Sequence, residues 1–321
     1  MHSFVTRAAS IDIGTNTFRM LIADISPAGV LTPLRCERII TRLGEGFHTG
    51  GTLCEPACRR SLKALDAFMH IIKAYRISHV HAAATSVVRE AINGRDFCIS
   101  VARQTGIAVK VLSGSEEARL TLAGVVTSVQ AGDLCLIVDI GGGSTELILS
   151  QNGLPLHTAS IRLGVVHLSE ELLRSDPPSQ PELLSLQSRI SSLFDAAIAR
   201  DFSPAIPPLS HSAARLIGTA GSITTLAAID QALEQYDPRT ITNYRLSRKS
   251  INALFDRLAA MKRNERTTVA GLEEGREDLI IPGAAILLHL MIRFGFEVIT
   301  VSDGGLLEGI LIDAHGPQRI P

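Results

Sequence analysis

The chain has 321 residues, 45% of them hydrophobic and 20% charged, which suffices for one or two full cores and on size alone suggests roughly two domains. A net charge of -1 and a pI near 6.8 argue against a protein built to coat nucleic acid, which would carry a strongly basic footprint. Met1–Arg7 lacks the charged start and apolar run of a secretory leader, and the apolar stretch 279–296 is broken by Pro282, His289 and Arg293, so a cytoplasmic protein without a membrane span is expected.

In chain order, β-branched apolar runs predict strands over 8–12, 18–25 and 30–40, joined by tight turns at Gly14-Thr15-Asn16 and Pro27-Ala28-Gly29. Cys58, Leu62, Leu65, Phe68 or Met69, Ile72 and Tyr75 then recur at helical spacing behind Pro56. A strand over 79–84, a helix ending at Gly106, a strand over 107–112 and a helix from Ser115 into Val129 complete a first half. After Ala131-Gly132 the same order restarts with strands over 134–139, 146–150 and 154–161. Helical pieces follow, among them a long helix after Asp176-Pro177-Pro178-Ser179 that runs through Arg200. A proline-rich loop around 204–208 leads to a strand over 215–219. Helices over about 222–233, 250–261 and 277–294, a strand over 298–302 and a closing helix from Leu306 end the chain. The duplication predicts two similar α/β domains, about 1–130 and 131–303, with the closing helix (about 304–315) able to pack back on the first and a cleft between the two.

The chemistry-bearing segments are strand ends. Asp12-Ile13-Gly14-Thr15-Asn16-Thr17 and Asp139-Ile140-Gly141-Gly142-Gly143-Ser144-Thr145-Glu146 each turn through glycine and small hydroxyl residues, so that backbone N–H groups can approach an anion. The first alone is equally a hairpin turn. The second sets three glycines between two carboxylates, oxygen ligands suited to hydrated magnesium. Neither is a dinucleotide fingerprint or a P-loop, because the G-x-G-x-x-G spacing and the Gly-Lys-Ser/Thr element are missing.

Ile217-Gly218-Thr219-Ala220-Gly221-Ser222 is a weaker third turn leading into a helix. Val301-Ser302-Asp303-Gly304-Gly305 reads best as hinge and packing. Leu112-Ser113-Gly114-Ser115-Glu116-Glu117 opens a helix, where the carboxylates suit a capping box or the helix dipole. Arg89, one turn past a strand end, either faces the cleft or is a solvated helix residue. Cys36, Cys54, Cys58, Cys98 and Cys135 form no metal-ligand spacing and read as isolated thiols.

Taken together, IDIGTNTFRM, RLGEG at 42–46, ATSVVREAIN, SGSEEARL, DIGGGSTE, IGTAGSITTLAA and SDGGLLEG closely resemble the exopolyphosphatase and guanosine pentaphosphate phosphohydrolase family of the actin-like superfamily, from about Ile11 to Gly309. The resemblance implies two ribonuclease-H-like domains, a magnesium-dependent site in the cleft, and removal of terminal phosphate from polyphosphate or pppGpp. It implies Glu117 as the carboxylate that activates water, and Asp139 and Glu146 as holders of the divalent ion. Gly14, Thr15, Asn16, Gly141, Gly142, Gly143, Ser144 and Thr145 would cradle phosphate, and Arg89 and Arg276 would meet it.

Dimerisation is common in the family. Thr15 and Thr17 stand where many members have serine, and Cys54 stands at a usual serine helix cap. The helical C-terminal extension of longer members is not seen, so shorter polyphosphates or pppGpp are the expected substrates. A guanosine-polyphosphate sensor with little turnover and an ATP-dependent phosphotransferase are the alternatives.

Overall fold

The computed structural model describes residues 5–130, 132–201 and 214–316. The proline-rich loop at 204–208, Ala131 and the segment 1–4 lie outside them. Contacts divide the chain into two units: residues 1–127 together with 304–321, and residues 128–303.

In the first unit, β1 (Thr6–Ile13), β2 (Thr17–Ile25), β3 (Leu31–Ile40), β4 (His79–Ala84) and β5 (Val109–Val111) form one sheet in the order β3-β2-β1-β4-β5. The first three run antiparallel, and β4 and β5 join parallel to β1. This is the ribonuclease-H-like order. In the second unit β6 (Leu134–Ile140), β7 (Thr145–Gln151), β8 (Leu154–Ile161), β9 (Arg215–Thr219), β10 (Arg245–Ser247) and β11 (Val298–Val301) follow the order β10-β11-β9-β6-β7-β8. The same plan is present there, with β10 added as an antiparallel edge. Three residues with one buried apolar side chain, Leu246, give no periodicity, which is why β10 escapes sequence reading.

The helix Glu55–Ala74 buries Ala57, Ser61, Ala64, Leu65, Phe68 and Ile72. Its apolar stripe is therefore turned slightly from the expected one, with Cys58 and Leu62 only partly buried and Tyr75 exposed. Full burial of a side chain such as Phe68 contributes about 1.5–3 kcal/mol. Cys54 occupies the N-cap and makes no capping hydrogen bond, in keeping with its poor capping chemistry.

The closing helix, Leu306–His315, packs on β1, β2 and β4 within the first unit. Its Leu307 and Leu311 join Ala8, Leu21, Ala23 and Ile25, and its Leu306 and Ile310 join Ala83, Leu112 and Leu120. It also crosses the helix Gly114–Ser128 at backbone contact. A Cβ at Gly124 would lie 1.8 Å from the Gly305 carbonyl oxygen, and one at Gly309 would lie 1.9 Å from that of Leu120. Those glycines serve close packing, as the Ser302–Gly309 motif suggested. At the end of this helix His315 Nε2 lies 2.8 Å from His81 Nε2 on β4.

No helix among the described residues is long and apolar enough to cross a membrane.

Candidate active site

In the first unit the turn after β1 is held from behind. The segment that leaves β3 folds back so that Gly44 N–H donates to the Thr15 carbonyl at 2.8 Å, and Thr41 and Arg42 N–H donate to the Asn16 carbonyl at 3.0 and 2.9 Å. The Thr15 hydroxyl is within hydrogen-bond distance of Ser86 Oγ, 3.1 Å away, and the side chain is almost fully buried. Asn16 Nδ2 donates to Thr17 Oγ1 at 3.2 Å, whereas Asn16 Oδ1 is buried without a hydrogen-bond partner among the described residues. Across the hairpin Asp12 faces Arg19 in register, with Arg19 Nε 3.9 Å from Asp12 Oδ2.

The second unit repeats the device after β6. Val165 and Val166 N–H, opening the helix Val165–Leu172, donate to the Gly141 and Gly142 carbonyls at 3.1 and 2.9 Å. Here Asp139 faces Glu146 in register. Glu146 is 1% exposed, and its Oε1 accepts hydrogen bonds from Ser144 Oγ and Ser160 Oγ, each at 2.8 Å. Thr145 Oγ1 donates to the Leu163 carbonyl at 2.6 Å. The hydroxyls of Ser144 and Thr145 thus donate to the protein itself.

Glu116 and Glu117 divide two tasks. Ser113 N–H donates to Glu116 Oε2 at 2.9 Å while Glu116 N–H donates to Ser113 Oγ at 3.2 Å, a reciprocal capping box. Lys110 adds an ion pair at 2.8 Å, and these bonds, Lys110 first, hold the Glu116 carboxyl down to about 2. Capping is therefore done by the exposed neighbour. Glu117 points the other way, 7% exposed, and its Oε2 accepts from Arg89 Nη1 at 3.0 Å. The same Nη1 donates to the Leu112 carbonyl at 2.8 Å, so Arg89, on the short helix Ser86–Glu90 after β4, ties the start of the Glu117 helix to its carboxylate.

Arg276 lies in the second unit, 8% exposed, with Nε donating to Glu273 Oε2 at 2.7 Å. Its guanidinium covers Gly221, where a Cβ would sit 2.3 Å from Nη1. It therefore faces the third glycine turn, at the start of the helix Ala220–Asp230. The two segments are 55 positions apart in sequence, so nothing local announces the pairing.

The chain matches the Ppx/GppA phosphatase family over residues 21–316. It belongs to that family. Exopolyphosphatase 2 of Mycobacterium tuberculosis is similar to it, 32% identical over 97% of this chain and 99% of the relative. Among solved Ppx/GppA structures, an exopolyphosphatase from Cytophaga hutchinsonii superposes with a TM-score of 0.86 at 30% identity, over 97% of this chain and 98% of that one. The Aquifex aeolicus family member gives 0.79 at 28% identity, over 97% and 98% respectively.

Among the described residues of this Ppx/GppA chain no group of three or more His, Cys, Asp or Glu could by itself hold a metal ion. Asp139 and Glu146, opposite each other in strand register, nevertheless offer the one or two carboxylates by which a magnesium ion that keeps most of its water is commonly held. The hydroxyls of Ser144 and Ser160 orient Glu146 as outer-shell partners do.

One functional signal was passed over in the sequence. Arg42-Leu43-Gly44 after β3 returns as Arg162-Leu163-Gly164 after β8, and both tripeptides deliver the segments that brace the turns. The repeated triplet, read together with the repeated strands, would have flagged Gly164.

Proposed function

We propose that the chain is a magnesium-dependent phosphohydrolase that removes the terminal phosphate of inorganic polyphosphate, or of pppGpp, by attack of water. In this reading Glu117 accepts the proton of the attacking water. The oxygen bonds to the terminal phosphorus, the bridging P–O bond breaks, and orthophosphate leaves a chain one phosphate shorter. Arg89 fixes the carboxylate and adds positive charge beside it. Backbone N–H groups of Gly14, Thr15 and Asn16 in the first unit, and of Gly141, Gly142 and Gly143 in the second, bind phosphate oxygens, and Arg276 is a further cation for them. Asp139 and Glu146 would hold magnesium, which when bound neutralises phosphate oxygens.

The observation that carries this reading is the Glu116–Glu117 division, because a carboxylate needed only for the helix dipole would not be turned inward onto an arginine while its neighbour makes the cap. The names of the relatives favour polyphosphate. Five free cysteines suit a reducing, cytoplasmic compartment.

The test is magnesium-dependent phosphate release from short polyphosphate, long polyphosphate and pppGpp. Glu117→Gln is expected to lower release by about 10²–10⁴-fold with an unchanged circular dichroism spectrum. Full turnover in that variant would move the base elsewhere.

A further inference from the structure

We infer that Gly44 and Gly164 are positioning residues for phosphate binding, each setting the direction in which its turn presents backbone N–H groups. The inference rests on the phosphohydrolase reading above. In a trans peptide the C=O of one residue and the N–H of the next point in opposite directions. Whatever holds a turn's carbonyl on one side therefore aims the following N–H to the other.

In the second unit Val165 and Val166 draw the Gly141 and Gly142 carbonyls toward the helix start, so the N–H groups of Gly142 and Gly143 are directed away from it. In the first unit Gly44 draws the Thr15 carbonyl, so Asn16 N–H is directed away from the bracing segment. Counted from Asp12 and Asp139, Asn16 and Gly143 occupy the same place in the repeat. Two turns of different sequence thus aim the equivalent donor by the same means.

The brace reaches the turn only because each tripeptide ends in glycine. A Cβ at Gly164 would lie 2.2 Å from the Gly143 carbonyl carbon and 2.3 Å from both the Gly143 Cα and the Gly142 oxygen. All three are backbone atoms of the turn itself, so the peptide planes would have to move. A Cβ at Gly44 would lie 2.3 Å from the Thr15 Cγ2 methyl and 3.4 Å from the Thr15 carbonyl oxygen. There the obstacle is one side-chain methyl. Leu43 and Leu163, fully buried beside the two glycines, anchor the braces in their respective cores.

The difference in obstacle gives the experiment. Tripolyphosphate is the probe, with calorimetric binding and steady-state hydrolysis as readouts. Gly44→Ala is expected to raise KM and the dissociation constant about tenfold or more, since aimed backbone donors carry effects of that size or larger. In a Thr15→Ser background, where Cγ2 is gone, adding Gly44→Ala is expected to cost less than about twofold relative to Thr15→Ser alone. Equal cost in the two backgrounds, or no cost in either, would overturn the assignment of Gly44.

For Gly164→Ala no side-chain rescue exists, so the comparison is with Ile190→Ala, a core change in the same unit on the helix Gln180–Asp201. At matched loss of melting temperature, Gly164→Ala is expected to weaken tripolyphosphate binding at least tenfold. Ile190→Ala should hold it within about twofold. Equal affinities in the two variants would overturn the assignment of Gly164. If the unmodified protein neither binds nor hydrolyses tripolyphosphate or pppGpp, the phosphohydrolase reading falls first, an outcome distinct from any of these.

Discussion

Opposite Asp12 the first unit places Arg19, and opposite Asp139 the second unit places Glu146, at the same spacing of seven residues and in the same register. One hairpin neutralises its own carboxylate; the other doubles the negative charge and orients it with two serine hydroxyls. A duplicated backbone therefore does not imply a duplicated role. The first turn pairs its carboxylate with an arginine, whereas the second sets two carboxylates in register.

The sharpest way to break that comparison is Glu146→Arg, which gives the second hairpin the pairing of the first. Magnesium-stimulated phosphate release is expected to fall about 10²-fold or more and not to recover at high magnesium. An unchanged magnesium titration would remove Asp139 and Glu146 from the metal assignment. Arg89→Lys should have the next largest effect. A lysine side chain ends one atom short of the Nη1 that donates to both the Leu112 carbonyl and Glu117, and loss of one charged hydrogen bond corresponds to about tenfold in kcat with KM little altered. An effect on KM alone would mean that Arg89 meets substrate without orienting the carboxylate.

Arg19→Glu runs the exchange in reverse. It should lower the melting temperature in chelator by a few degrees, about 1 kcal/mol of like-charge repulsion at a half-buried pair, and magnesium should restore part of it. Absence of any magnesium response would show that facing carboxylates alone do not make the second turn's site.

The smallest effect is a dependence on pH. Burial first, then neighbouring histidines, lowers the pKa of His81 and of His315, His79 acting on both and His81 on His315. The unfolded chain then binds more protons as pH falls below the ordinary 6.5. First-unit stability should be full above that value and decline as pH drops through it toward the lowered values, and His315→Gln should flatten the decline. A pH-independent melting temperature between 7 and 5 would contradict the docking of His315 on β4.

The repeated strands were legible because β-branched runs and turn residues report locally. The helix ends were less so: the helix expected from Glu277 begins at Ile280, and the strand expected over 107–112 is confined to Val109–Val111. At the candidate site, sequence singled out the two glycine turns and the SEEAR segment, but could not tell which glutamate caps, since that depends on which way each side chain turns from one helix start. The partners of the Thr15 and Thr145 hydroxyls, Ser86 and the Leu163 carbonyl, lie far enough along the chain that no local pattern announces them.

The crossing of the closing helix over the helix Gly114–Ser128 has a consequence for how the protein is made. Glu117 leaves the ribosome early, yet Gly305 and Gly309, against which its helix packs, follow only after the whole second unit has been made. At about 5–20 residues per second that interval is roughly 10–40 seconds. The second unit, contiguous over 128–303, can fold meanwhile. A nascent chain that ends before Leu306 would carry every candidate site residue and lack the helix packed against that of Glu117, so the first unit is completed only after the second has been made.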